Sequence, residues 1–237
     1  MFPLTLERRE TLAEGTMAFH FTKPAGFSFT AGQALDWTLV NPPETDKEGN
    51  VRTFTIASAP SDPDLVLATR LRDTAFKRVL QTMPFGTSLN AEGPDGSFTL
   101  HPEGATPAVF LTGGIGITPF RSMVRDAVAR KLPHSIWLFY SNNRPEDAAF
   151  LDELQQLAAS SATLHFVPTM TDMAKSKRPW NGATGLINRE MIAGRLPMKG
   201  PIYYIAGPPA MVKAMQKMLA GAGVDDADIR TDEFEGY

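Results

Sequence analysis

The sequence predicts an α/β plus all-β fold, with an N-terminal antiparallel β-barrel over residues 1–102 followed by a parallel-sheet α/β unit over residues 103–237. Three observations predict it. Before residue 103, short β-like runs are separated by Gly, Pro and Asp. After it, apolar strands alternate with stretches of helical periodicity. Where the first of those strands meets the first of those helices lies a glycine cluster, Leu111–Pro119 (LTGGIGITP).

In the first half the runs are Leu4–Leu6, Met17–Thr22, Ala34–Val40, Arg52–Ala57, Leu65–Arg70 and Phe98–Leu100. That spacing suits a small antiparallel barrel. His101–Pro107 reads as a linker. The later strands are Ala108–Leu111, Ile136–Ser141, Leu164–Pro168, Ile202–Ala206 and Ile229–Phe234. Between them the pattern predicts helices over Pro119–Arg130, Pro145–Ala159, Arg189–Ala193 and Pro209–Ala220, which would cover a parallel sheet on both faces. Asn188 is placed to cap the third helix, and Gly221 and Gly223 to end the fourth.

Composition narrows the function classes. A formal net charge of −3 gives no global reason to bind nucleic acid or an anionic membrane. No apolar run reaches the ~18–20 residues of a membrane span, and no signal-peptide core follows Met1. The expected location is cytoplasmic. With no cysteine, this chain has no disulfide, no thiolate nucleophile and no cysteine-held iron–sulfur cluster. His20, His101, His134 and His165 show no metal-ligand spacing, so no metal is expected.

The glycine cluster points to a nucleotide. Gly114 and Gly116 let the backbone approach a ligand closely, and the helix start behind them offers N–H groups to a phosphate. Thr118 suits the N-cap and Pro119 the first helical position. A purely structural turn is the alternative. A second constellation, Arg52–Ser58 (RTFTIAS), alternates Arg52 and Phe54 on one strand face with Thr53 and Thr55 on the other. A guanidinium, a ring and a hydroxyl suit a ligand with a phosphate and a flat ring; a half-exposed barrel strand is the plain alternative. Arg70 ends a strand, and Thr74 precedes a short helix bearing Phe76 and Lys77, a second anion site.

With these motifs in order, nearly the whole chain resembles the ferredoxin–NADP reductase superfamily. Phe27–Gln33 (FSFTAGQ) resembles the family's barrel element before the flavin strand, and Arg52–Thr55 its Arg-x-Tyr/Phe-Ser/Thr flavin motif. Ala68–Arg70, Gly86 and Gly93–Phe98 resemble its strand end and its turn before the last barrel strand. Gly113–Pro119 is similar to its nicotinamide-nucleotide loop, Ala206–Met211 (AGPPAM) to its Cys-Gly-Pro-x-x-Met motif, and Glu233–Tyr237 to its acidic–aromatic ending. Ala206 replaces the usual cysteine, and Phe54 stands where tyrosine is common.

The resemblance implies a flavin-binding barrel joined to a nucleotide-binding domain, with hydride passing from NADPH or NADH to the flavin. It places Arg52 on the flavin pyrophosphate, Phe54 on the ring and the Thr55 hydroxyl near N5, with Ser58, Arg70, Thr74, Phe76 and Lys77 assisting. Gly114, Gly116, Thr118 and Pro119 would seat the dinucleotide, and Gly207, Pro208 and Met211 would line the nicotinamide side. Glu233 is the candidate proton-handling carboxylate. Tyr237 or Phe234 is the aromatic expected to cover the flavin. FAD is expected over FMN because Arg52, Arg70 and the helix start at Thr74 would surround a diphosphate. Ser141, Asn142 and Arg144, aided by Lys175, Lys177 or Arg178, predict a modest NADPH preference, since no acid follows the second strand until Glu146. Electrons would then leave to a separate acceptor: ferredoxin, flavodoxin, a haem protein, an oxygenase component or a small molecule such as free flavin. The alternative is a flavin-bearing electron-transfer or regulatory subunit whose nicotinamide site is weak, as Ala206 would favour.

Overall fold

A computed structural model of the chain describes residues 1–234. Its first half is a six-stranded antiparallel sheet in the order β4-β3-β6-β1-β2-β5. The strands are β1 (Phe2–Ala13), β2 (Thr16–Thr22), β3 (Ala34–Thr38), β4 (Val51–Thr55), β5 (Asp64–Arg70) and β6 (Ser88–Asp95). The sheet curls until its edges meet, where Ala57 N–H donates to the Val66 carbonyl at 2.8 Å. Inside it are Leu4, Leu6, Phe19, Phe21, Trp37, Leu65 and Leu67. Helix α1 (Ala75–Thr82) joins that core by burying Phe76, Val79 and Leu80, the one-face spacing of a helix. Burying each such side chain contributes about 1.5–3 kcal/mol.

The second half is a six-stranded parallel sheet in the order β10-β9-β8-β7-β11-β12. Its strands are β7 (Ala108–Gly113), β8 (Ile136–Asn142), β9 (Leu164–Met170), β10 (Ala183–Thr184), β11 (Ile202–Gly207) and β12 (Ile229–Glu233). Alternate strand residues feed two cores. Phe110, Leu138, Tyr140 and Tyr204 pack with α2 (Ile117–Ala129) and α3 (Leu151–Ala159). Val109, Leu111, Phe139 and Ile205 pack with α4 (Arg189–Ala193) and α5 (Pro209–Gly221). The chain runs outward from β7 to β8 and β9, then returns to place β11 on the other side of β7. That reversal is a topological switch point, where open α/β sheets take their ligands.

Helix α2 also ties the two sheets together. The Arg121 guanidinium donates to the Ala57 carbonyl at 2.7 Å, and the Ser122 hydroxyl to the Ser58 carbonyl at 2.7 Å. Arg125 pairs with Asp62 at 2.7 Å and with Glu153 at 2.8 Å. No helix among the described residues is long and apolar enough to cross a membrane.

Several predicted elements differ. Phe98–Leu100 is not a strand; the sixth strand is β6, and Gly93–Asp95 belongs to it rather than to a turn before it. The polar groups following Gly96 are instead taken by side chains of the second half. Arg230 donates to the Thr99 carbonyl at 3.0 Å, and Tyr204 Oη accepts the His101 N–H at 2.8 Å. Phe98 meets the edges of Phe120 and Tyr204. The segment predicted over Pro145–Ala159 breaks, with a single 3₁₀ turn at Pro145–Asp147 and Phe150 at φ +60° before α3 begins. Gly116, not Thr118, is the N-cap of α2, so Thr118 and Pro119 lie inside its first turn. Proline is tolerated there because its missing N–H has no intrahelical partner. Thr74 is the N-cap of α1 but makes no side-chain cap bond, whereas Asn188 caps α4 by accepting from Met191 N–H at 2.8 Å.

Candidate active site

A cleft of about 330 Å³ opens between the two sheets. The barrel lines it with Thr53, Phe54 and Thr55 of β4, with Arg70 at the end of β5, and with Lys77 of α1. The parallel sheet contributes Ile115, Thr118, Asp232, Glu233 and Phe234. β4 is an edge strand, so residues from both of its faces reach the cleft. Phe54 turns toward α1, its ring 5.8 Å from Phe76, while Thr55 is nearly buried at the cleft wall. Trp37 Nε1–H donates to the Phe54 carbonyl at 3.3 Å and holds the strand in place.

The glycine loop approaches from the switch point. A Cβ on Gly116 would lie 2.6 Å from the Ala206 carbonyl oxygen and 2.7 Å from Gly207 Cα, so only glycine lets the loop at the start of α2 close up on the end of β11. Gly207 has φ +150° and accepts the Phe234 N–H at 3.1 Å, which brings the end of β12 to the Gly207–Pro208 turn. Met211 sits beneath, its sulfur 2.8 Å from where a Gly113 Cβ would be. The Thr118 hydroxyl donates to the Ile115 carbonyl at 3.2 Å and so braces the loop. Ser141 pairs beside Gly113 in the sheet register, and the buried Asn142 Nδ2 next to it has no partner among the described residues.

Other predicted residues sit elsewhere. Ser58 is fully buried, its hydroxyl accepting from Val66 N–H at 3.1 Å and its carbonyl from the Ser122 hydroxyl at 2.7 Å, so it joins barrel to α2 rather than facing the cleft. Phe76 is a floor beneath Phe54 and Arg52. Arg52 is turned onto the β3–β4 loop, pairing with Glu48 at 2.9 Å and Asp46 at 3.3 Å. Arg144 is held by Asp147 at 2.7 and 2.9 Å and by Glu14 at 2.7 Å. Lys175 pairs with Asp172 and Arg178 with Asp152. Tyr237 lies outside the described residues.

Charge in the cleft is uneven. Burial, then Arg72 and Arg52 nearby, push the Lys77 ammonium down to about 8 against a weaker pull from Glu48. Neither Lys77 nor Arg70 has a carboxylate partner among the described residues. Burial raises the Asp232 carboxyl above the ordinary range, so it keeps its proton to higher pH than an exposed acid would. Asp232 was missed from sequence. Its signal was adjacency to Glu233 on a strand running toward Gly207, and burial, which decides between neighbours, is not written in residue type.

Residues 110–217 match the family described as an oxidoreductase NAD-binding domain. Over 228 residues the chain is 28% identical to ferredoxin–NADP reductase B of Sorangium cellulosum, covering 92% of this chain and 91% of that one. It is 29% identical to the glycine betaine monooxygenase reductase subunit of Chromohalobacter salexigens over 95% of its own length, but spans only 61% of that subunit. The fold superposes with a TM-score of 0.85 on the flavohem-like FAD/NAD binding domain of nitric oxide dioxygenase from Vibrio cholerae, at 18% identity and 98% coverage of both chains.

Proposed function

The chain belongs to the ferredoxin–NADP reductase superfamily, and on that premise we propose that it is an FAD-dependent reductase drawing hydride from NADPH or NADH and passing electrons to a separate acceptor. The observation that carries this reading is the cleft itself. One wall is the flavin strand, the other the end of a nucleotide-binding switch point, and both reach one cavity. The residues present fit both groups: Arg70 and Lys77, cations with no carboxylate partner among the described residues, suit a diphosphate, and the Asn142 amide, without a partner among them, suits a polar group of a nucleotide. We assign residues 1–102 to the flavin and 103–237 to the nicotinamide nucleotide.

A bound flavin supplies acceptance of hydride and its onward release as one or two electrons. Phe54 offers an apolar face for the ring, and Thr55 a hydroxyl at its edge. Gly114 and Gly116 let the nucleotide reach the backbone beneath it. Phe234, half-buried in the cleft, would cover a flavin held there, and an entering nicotinamide would have to move it aside. Phe234→Ser is expected to perturb the visible flavin spectrum and tighten nicotinamide binding; an unchanged spectrum removes the assignment.

Anaerobic bleaching of the yellow protein by NADPH or NADH tests the function, and yellow protein inert to both would favour the electron-transfer module instead. The NADPH preference expected from sequence shrinks here, because Arg144 reaches a 2′-phosphate only by leaving Asp147 and Glu14. The kcat/KM values for the two nucleotides are therefore expected within about tenfold, or ~1.4 kcal/mol. A hundredfold advantage for NADPH would overturn that. The acceptor is a protein such as a ferredoxin or an oxygenase component, a reading supported by the names of the Sorangium and Chromohalobacter relatives.

Lys77 makes flavin affinity depend on pH. Its free-protein value near 8 rises when a phosphate pairs with it, so its contribution is full below pH 8 and fades as pH climbs above that. Fluorescence titration with FAD should show affinity falling between pH 7 and 9.5. In Lys77→Met affinity should be about tenfold weaker at pH 7, with the pH slope flattened. An equal slope in wild type and variant contradicts this.

A further inference from the structure

The β3–β4 loop brings carboxylates to Arg52 at the Lys77 end of the cleft, where Arg52 and Glu48 both act on the Lys77 ammonium. Asp46 accepts the Ala75 N–H, at the first turn of α1, at 2.9 Å, and its other oxygen meets Arg52 Nη2 at 3.3 Å. Glu48 meets the same guanidinium at 2.9 Å, and Glu44 grips Arg78 at 2.6 Å. A helix-start amide plus a guanidinium is the donor set that binds a phosphate. The loop is built to stay: Leu39 N–H donates to the Asn50 carbonyl at 2.9 Å, and Asn50 Nδ2 to the Leu39 carbonyl at 2.8 Å. The Ala75 amide, then the Glu48 amide and Arg52, hold the Asp46 carboxyl below its ordinary value against the opposing effect of burial.

We propose that Asp46 and Glu48 are internal competitors of the flavin diphosphate, so that cofactor loading is an exchange of anions at Arg52 and the Ala75 amide rather than a simple addition. This rests on the flavin reading above. An amide N–H and a guanidinium edge already bonded to carboxylate serve an incoming phosphate only when the loop withdraws. The competitor is attached to the chain, so it acts at high effective concentration and weakens the cofactor's hold without any change at the ring. The ring end of the cleft, at Phe54 and Thr55, lies outside the exchange, which makes the effect specific to ligands carrying phosphate.

Equilibrium fluorescence titrations of the full chain, stripped of flavin, test this with FAD and with riboflavin, which has no phosphate. Glu48→Gln and the double variant Asp46→Asn/Glu48→Gln are expected to bind FAD at least fivefold and twentyfold more tightly than wild type. Riboflavin binding should stay within twofold. Glu48 is exposed, so its single replacement keeps the test valid should the double variant fold poorly. Unchanged or weaker FAD binding in Glu48→Gln overturns the proposal and assigns the carboxylates to positioning Arg52. Equal tightening for riboflavin also overturns it, by showing a general loosening of the cleft. If neither ligand binds wild type or variant, the flavin reading itself fails, a result distinct from the other two.

Discussion

Gly116→Ala is expected to lower nicotinamide-dependent flavin reduction by at least about 100-fold while leaving FAD bound. The added Cβ meets only backbone, the Ala206 carbonyl oxygen at 2.6 Å and Gly207 Cα at 2.7 Å, so no side chain can swing aside. Relief requires the glycine loop at the start of α2 to part from the end of β11. A displacement of about 1 Å there moves the nucleotide relative to the flavin, and misplacement on that scale costs about 10²-fold in rate. Overpacking also costs about 1–3 kcal/mol of stability. Stopped-flow reduction measured beside FAD stoichiometry separates the effects. Wild-type reduction rates in the alanine variant would show that the close approach has no role in seating the nucleotide.

The second large effect is expected from Arg121→Ala. This guanidinium is nearly buried between the sheets, donating to the Ala57 carbonyl at 2.7 Å, pairing with Glu153 at 3.0 Å and lying 4.3 Å over the Phe150 ring. Removing it leaves a buried carbonyl without its side-chain donor and a carboxylate with only Arg125. Leaving a buried carbonyl without its charged donor costs about 1–3 kcal/mol, and the lost packing over Phe150 brings the total to about 3 kcal/mol. For a chain of this size that is a fall in melting temperature of roughly 6–12 °C. Differential scanning fluorimetry reads it directly, and a fall under 2 °C would show that the contact contributes little. Arg121→Lys should recover only part, since an ammonium cannot bond the carbonyl and the carboxylate in one plane.

What was legible in the sequence follows from which forces act locally. Glycines 114 and 116 between an apolar strand and a periodic helix are a local signal, and the loop lies where they indicate. The Arg52–Thr55 run likewise marks the strand whose Phe54 and Thr55 line the cleft, although alternation alone would set those two on opposite faces. Ion-pair partners were not legible, because a guanidinium's choice is settled by distant loops. Arg144 pairs with Glu14 from the opposite half, and Arg52 with the loop before its own strand. Phe98–Leu100 has a strand's apolar look because Phe98 and Leu100 are partly buried, yet Phe98 packs against Phe120 and Tyr204 and not in a ladder. Alternation cannot tell those two kinds of burial apart.

Helix α2 has a consequence beyond stability. Its start carries the glycine loop, and the residues that bond the barrel, Arg121, Ser122 and Arg125, follow within the next turns of the same rod. The separation between the two walls of the cleft is thus calibrated by helical rise, about 1.5 Å per residue, and not by the set of a hinge. A ruler of this kind has no intermediate settings. Evolution of such a chain toward new acceptors or nucleotides is then channelled into side chains at the rim, because any insertion between loop and ties would detune the spacing on which the whole site depends.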